Sequence, residues 1–157
     1  MRRPAFTLAE MVATLAILAL TLLIVTPKAI GSYRRWEEQR FYKQLTQEWQ
    51  QTIARSRSTG LRSEVVFSTG RPQDVQFYYE SAEVGVTTKH VLLAPPTIDM
   101  QNREGNRYRI ERDGFVRPGT VWFDNPATGK RTFLKIQMGG AIKYVEGDIP
   151  AGAPCRR

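Results

Sequence analysis

Of the 21 residues from position 6 to 26, FTLAEMVATLAILALTLLIVT, only Glu10 carries a charge. At about 1.5 Å per residue this run makes a helix of roughly 30 Å, the thickness of a bilayer's hydrocarbon core. A carboxylate in such a span costs roughly 2.5–3.5 kcal/mol near the centre and less toward an end. It is tolerable where a cation meets it. Two chemistries are therefore open for Glu10. It neutralises a cation brought to it inside the membrane, or it belongs to an ordinary signal-anchor helix and reaches back to the interface.

A second set of chemistry-bearing residues lies near the C-terminal end. Alternation there puts Leu134, Ile136, Met138, Ile142 and Tyr144 on one face, toward a core. Arg131, Lys135 and Lys143 fall on the other face, with Phe133 among them. Cations around an aromatic ring can track a phosphate backbone while the ring stacks a base. The same pattern also describes an ordinary solvated sheet face, and the sequence leaves both readings open.

The remaining inventory is thin. The one histidine, His90, precedes Val91, Leu92 and Leu93 and reads as a strand-edge residue rather than a ligand or base. The one cysteine, Cys155, has no partner for an internal disulfide, so the core must hold the fold. It reads as an incidental thiol or as a partner for another chain. No His/Cys cluster has metal-site spacing, and there is no phosphate loop and no Ser or Cys nucleophile motif. The expectation is no metal, no cofactor and no enzyme. Carboxylates such as Asp99, Glu104 and Glu111 would make an anchored enzyme only if folding paired them.

The residues Phe6-Thr7-Leu8-Ala9-Glu10-Met11 resemble the start of the mature type IV pilins and pseudopilins. In that family a prepilin peptidase removes a short basic leader just before the Phe, and the new N-terminal Phe is methylated. The acidic residue four positions on pairs with that amine, on the same chain or on a neighbouring subunit. The resemblance implies a leader at residues 1–5, cleavage between Ala5 and Phe6, N-methylation of Phe6 and an assembly role for Glu10. The family usually has Gly at the last leader position, where this chain has Ala5, the nearest small substitute. The resemblance also implies a single-pass protein of the cell membrane, N-terminus cytoplasmic, that reaches the cell surface when assembled in a pilus. Counting cations alone argues the other way, because Lys28, Arg34, Arg35 and Arg40 follow the span.

The elements that must position these residues follow from periodicity. Pro27 marks a helix break or bend at the end of the transmembrane and assembly segment, residues 6–26. Residues 27–58 continue as an amphipathic helix. Tyr33, Trp36, Phe41, Leu45, Trp49 and Ile53 form its apolar stripe, and Thr59-Gly60 stops it. From residue 62 the period changes to two. Strands are expected at 63–68, 75–79, 87–93, 107–112, 121–124, 132–137 and 141–145, with 97–106 as loop. The β-rich globular domain spans 59–146, and 147–157 is expected to be a disordered tail. The fold class is α+β: a long N-terminal helix, membrane-spanning in its first half, packed on a C-terminal antiparallel β domain.

This layout is similar to the minor pseudopilins of the GspH/FimT kind, and most of all to the ComGD-type competence proteins. The resemblance implies a structural subunit of a competence (transformation) pilus involved in DNA uptake. Its partners would be other pseudopilins, a prepilin peptidase, the pilus assembly platform and ATPase, the membrane, and DNA as cargo. The alternatives are a minor pseudopilin of type II secretion or of another type IV pilus, and a singly anchored surface DNA-binding protein or adhesin. The net charge of +8, or +6 once the leader's two arginines are gone, suits an anionic partner such as nucleic acid, cell-wall polymer or lipid head groups. It also suits plain solubility.

Overall fold

The computed structural model describes residues 8–70, 72–81, 87–101 and 105–149, with only the backbone of 22–29. The chain is α+β and divides into two compact units, Met1–Glu37 and Glu38–Arg157. One α-helix, α1, covers Leu8–Thr59. It runs without interruption through position 27, so of the break or bend that the sequence predicts at Pro27 a break is absent. A proline removes one backbone hydrogen bond and crowds one carbonyl. The turns on either side carry the helix past that single loss.

At its far end α1 stops where Gly60 takes a left-handed conformation (φ 66°) and donates its N–H to the Ser56 carbonyl at 3.0 Å. That bond closes a helix end which a residue with a Cβ would strain.

Eight strands follow: β1 Ser63–Ser68, β2 Asp74–Glu80, β3 Thr87–Leu93, β4 Asp99–Gln101, β5 Arg107–Ile110, β6 Gly119–Asn125, β7 Lys130–Ile136 and β8 Ile142–Asp148. They form two antiparallel four-stranded sheets, ordered β3-β2-β1-β5 and β4-β6-β7-β8. The inner faces alternate as a half-buried sheet requires. Val65, Phe67, Val75, Phe77, Tyr108 and Ile110 come from the first sheet; Met100, Val121, Phe123, Leu134 and Ile136 come from the second. Phe41, Leu45, Trp49 and Ile53 of α1 join them in one buried cluster.

Three polar side chains that α1 sends into this core find partners there. Trp49 Nε1 donates to the Gly140 carbonyl at 2.8 Å. The Thr52 hydroxyl donates to the Glu48 carbonyl at 2.6 Å and meets the Tyr79 hydroxyl at 3.2 Å, and Ser56 Oγ donates to Ser63 Oγ at 2.8 Å.

Four expectations need correction. Tyr33 and Trp36 are exposed and do not extend the buried stripe. The step from Trp36 to Phe41 is five residues, which turns roughly 140° around a helix, so the two cannot share a face. Residues 99–101, expected as loop, form β4, because they pair with β6 and the Gln73 side chain clips Asp99 and the Met100 N–H. Met138, expected inward, is 73% exposed at the tip of the β7–β8 turn. The disordered tail expected over 147–157 does not start at residue 147. Gly147 and Asp148 still pair with β7, and Ile149 donates its N–H to the Gly129 carbonyl at 3.0 Å. Residues 150–157, with Cys155, lie outside the described residues.

Candidate functional site

Two regions carry the residues singled out by the sequence. The first is the start of α1. Glu10 stands in its first turn, where a carboxylate complements the positive end of the helix dipole. Leu8, Met11, Val12, Leu15, Ile17, Leu18 and Leu20 are all between 52% and 85% exposed. Within its own unit this stretch presents apolar side chains on every face, which a water-facing helix does not do. Its hydroxyls are turned back onto the helix. Thr14 Oγ1 donates to the Met11 carbonyl at 2.9 Å and Thr21 Oγ1 to the Leu18 carbonyl at 2.8 Å. Such internal satisfaction is what a hydrocarbon surrounding demands of a polar side chain.

Among the described residues no helix is long and apolar enough to cross a membrane. The apolar run at 6–26 extends at both ends past the residues whose side chains are described. Ala5 and Phe6, the expected cleavage and methylation positions, lie outside the described residues, as does the side chain of Pro27.

The second region is the outer face of the β4-β6-β7-β8 sheet. Register places Thr120, Lys135 and Lys143 in one row across β6, β7 and β8. Trp122, Phe133 and Val145 form the next row, and Asp124, Arg131 and Gly147 the third. The four residues expected to share a face, Arg131, Phe133, Lys135 and Lys143, do share it. Their electrostatic roles differ.

Lys135 and Lys143 are exposed and directly opposite each other. Two like charges at a directly paired position disfavour each other, so this edge of the face concentrates positive potential. Phe133 is half-buried, with its ring 6.2 Å from that of Trp122 in an edge-on arrangement.

Arg131 is only 7% exposed. Its Nε and one Nη donate to the two carboxylate oxygens of Asp124 at 2.5 and 2.7 Å, and its guanidinium lies 5.1 Å from the centre of the Trp122 ring. The expectation that Arg131 offers its charge to an external phosphate is therefore corrected. The buried carboxylate already takes that charge in a two-pronged ion pair.

Trp122 and Asp124 are the residues that the sequence reading missed. The signal was present, because alternation along β6 points Val121 and Phe123 inward and so Trp122 and Asp124 outward. The assembled face is a half-buried aromatic pair flanked on one side by two exposed lysines and on the other by a neutralised arginine. It can attract an anion at the lysine end and stack a flat group on the aromatic rings.

Behind this sheet, Tyr42 of α1 and Tyr144 of β8 stack edge-on with centroids 5.3 Å apart. Burial pushes the Tyr42 phenol up to about 12, against the lowering effect of its bond to Thr132. Burial also raises Tyr144 from the ordinary tyrosine range, against the bond to Thr46. No family model, no curated protein and no solved structure matches the chain.

Proposed function

We propose that the chain is a minor pseudopilin of a competence pilus, a structural subunit rather than an enzyme. It sits in the cell membrane with its N-terminus in the cytoplasm, loses residues 1–5, and enters a filament through its N-terminal helix. Glu10 neutralises the amine of Phe6, its own or that of a neighbouring subunit, in an apolar surrounding. The observation that carries this reading is the start of α1, exposed and apolar on all sides with one carboxylate in its first turn. Its partners are a prepilin peptidase, an assembly platform and ATPase, and other pseudopilins, with DNA as the cargo.

Intact mass and N-terminal sequencing of the protein from native membranes test it. A chain starting at Phe6 and about 14 Da heavier than its sequence supports processing and methylation. A chain still starting at Met1 overturns the pilin pathway. Glu10→Ala is expected to abolish incorporation into the filament while leaving membrane insertion intact.

A second reading, a singly anchored surface protein that binds DNA, draws on the exposed Lys135–Lys143 pair. It separates from the first cleanly, because Glu10→Ala would then change nothing.

A further inference from the structure

The outer face of the β4-β6-β7-β8 sheet sorts its chemistry by row. Trp122 and Phe133 are direct cross-strand partners on β6 and β7, the two central strands. Gln101 of β4 and Val145 of β8 complete that row. Both rings are half-buried, so they line the face rather than stand out from it. A Cβ at Gly147 would come within 3.2 Å of the Phe133 ring, so a glycine on the edge strand makes room for it.

Lys135 and Lys143 stand in the adjacent row, about 7 Å away at 3.4 Å per residue. Neither is in an ion pair among the described residues. Among those residues, the carboxylates that register places on this face are Asp99 and Asp124. They lie on the far side of the aromatic row, about 13 Å along the strands from the lysine row. Arg131 already engages Asp124, and Gln73 donates to Asp99. With a screening length of roughly 8 Å in physiological salt, these two carboxylates do not cancel the charge of the lysines. A phosphate between Lys135 and Lys143 would turn their mutual repulsion into two attractions.

The shape of the face separates two kinds of nucleic acid. Four strands at about 4.8 Å spacing span about 14 Å before side chains are added, wider than the roughly 12 Å major groove of a duplex. The face therefore does not enter that groove, and half-buried rings do not wedge between paired bases as a protruding side chain does. A duplex would meet only the two lysines, through its phosphates. An unpaired strand exposes the flat faces of its bases. Aromatic rings on the central strands of a sheet stack such bases while neighbouring cations hold the phosphates. We propose that this face binds single-stranded nucleic acid, with bases on the Trp122–Phe133 row and phosphate at Lys135 and Lys143. This rests on the reading of the face as a nucleic-acid surface and narrows its ligand to an unpaired strand.

The test uses the full-length chain in a zwitterionic detergent. The probes are a labelled oligothymidylate of about 12 nucleotides, a length such sites cover, and a duplex of equal length. By fluorescence anisotropy the single strand is expected to bind about tenfold tighter than the duplex at the same salt, or more. In Trp36→Phe, which keeps Trp122 and the buried Trp49, the single strand is expected to quench Trp122 and the duplex to leave it unchanged. Phe133→Leu retains apolar bulk without a ring. It is expected to weaken the single strand about tenfold and leave the duplex unaffected. Lys135→Gln with Lys143→Gln is expected to weaken both and to flatten their dependence on salt.

Equal or tighter binding of the duplex overturns the proposal and leaves a nucleic-acid face that holds phosphates alone. A single strand that binds without quenching Trp122 is not stacked on this row, which overturns it too. Binding of neither probe at low salt overturns the nucleic-acid reading of the face itself, and the preference for an unpaired strand falls with it.

Discussion

Asp124 on β6 and Arg131 on β7 face each other across the strand pair, both carboxylate oxygens engaged by the guanidinium and both side chains nearly sealed from water. The pair decides what the outer face of this sheet can do. It removes one cation from the surface and holds the Trp122 ring beneath a guanidinium. Removing either partner strands a buried charge. Arg131→Ala or Asp124→Ala is expected to cost about 3–5 kcal/mol, read as a lowered denaturation midpoint, whereas replacing both with apolar residues of similar size costs far less. An Arg131 variant that stays as stable as the parent would remove the pair's structural role.

The lysine pair makes a prediction of opposite signs. Lys135→Glu turns a repulsive cross-strand pair into an attractive one with Lys143. Stability is expected to rise by about 0.2–1 kcal/mol. If this face holds nucleic acid, binding is expected to fall at the same time, and the slope of log affinity against log salt to shrink by about 1 for each phosphate that is no longer neutralised. Trp122→Ala weakens binding by the stacking share, about 1–3 kcal/mol per base, and leaves the salt slope unchanged. A more stable protein whose binding and salt slope match the parent's would exclude this face as the nucleic-acid surface.

The joint between α1 and the β7–β8 turn is sensitive to a single carbon. Gly140 sits at φ 86°, and a Cβ there would run into the terminal methyl of Ile53. Its carbonyl accepts the indole N–H of Trp49. Gly140→Ala is expected to destabilise by about 1–3 kcal/mol, from overpacking together with backbone strain. Trp49→Phe leaves the carbonyl without its donor, at about 1–3 kcal/mol. Trp49→Ala empties the centre of the core and costs about 3–5 kcal/mol. Chemical denaturation of each variant checks the order.

Alkaline pH should unfold this protein earlier than its surface charge suggests. Tyr42 is raised from 10.0 to about 12, and Tyr144 is raised as well, both chiefly by burial. Each phenol keeps its proton more firmly when folded, so its contribution is whole below the unfolded value. It is lost as pH rises through the folded one, between roughly 10 and 12 for Tyr42. Within that window one such group removes at most about 1.4 kcal/mol per pH unit. Stability measured across it should fall in the parent and fall less steeply in Tyr42→Phe.

Much of this architecture was legible from local pattern. The bounds of β1 and β3 agree with the strands expected at 63–68 and 87–93, and the helix stop at Thr59-Gly60 follows from glycine's freedom at positive φ. The outward set Arg131, Phe133, Lys135 and Lys143 was legible for the same reason. A period of two assigns faces without knowing the partner strand. Periodicity failed where a neighbour decides. Asp99–Gln101 has no strand pattern of its own and becomes one by pairing with β6. Tyr33 and Trp36 looked like members of the buried stripe until helical rotation was counted over the five-residue step to Phe41.

The sequence by itself determined the apolar run with its single carboxylate, the change of period near residue 62 and the alternation of faces, because each depends only on side chains a few residues apart. Tertiary structure alone decided that β1 pairs with β5, that Asp124 takes the charge of Arg131, and that Gly140 meets Trp49 and Ile53. Strand order and cross-sheet packing join residues distant in the chain, and whether a charge remains available depends on the partner that burial brings to it.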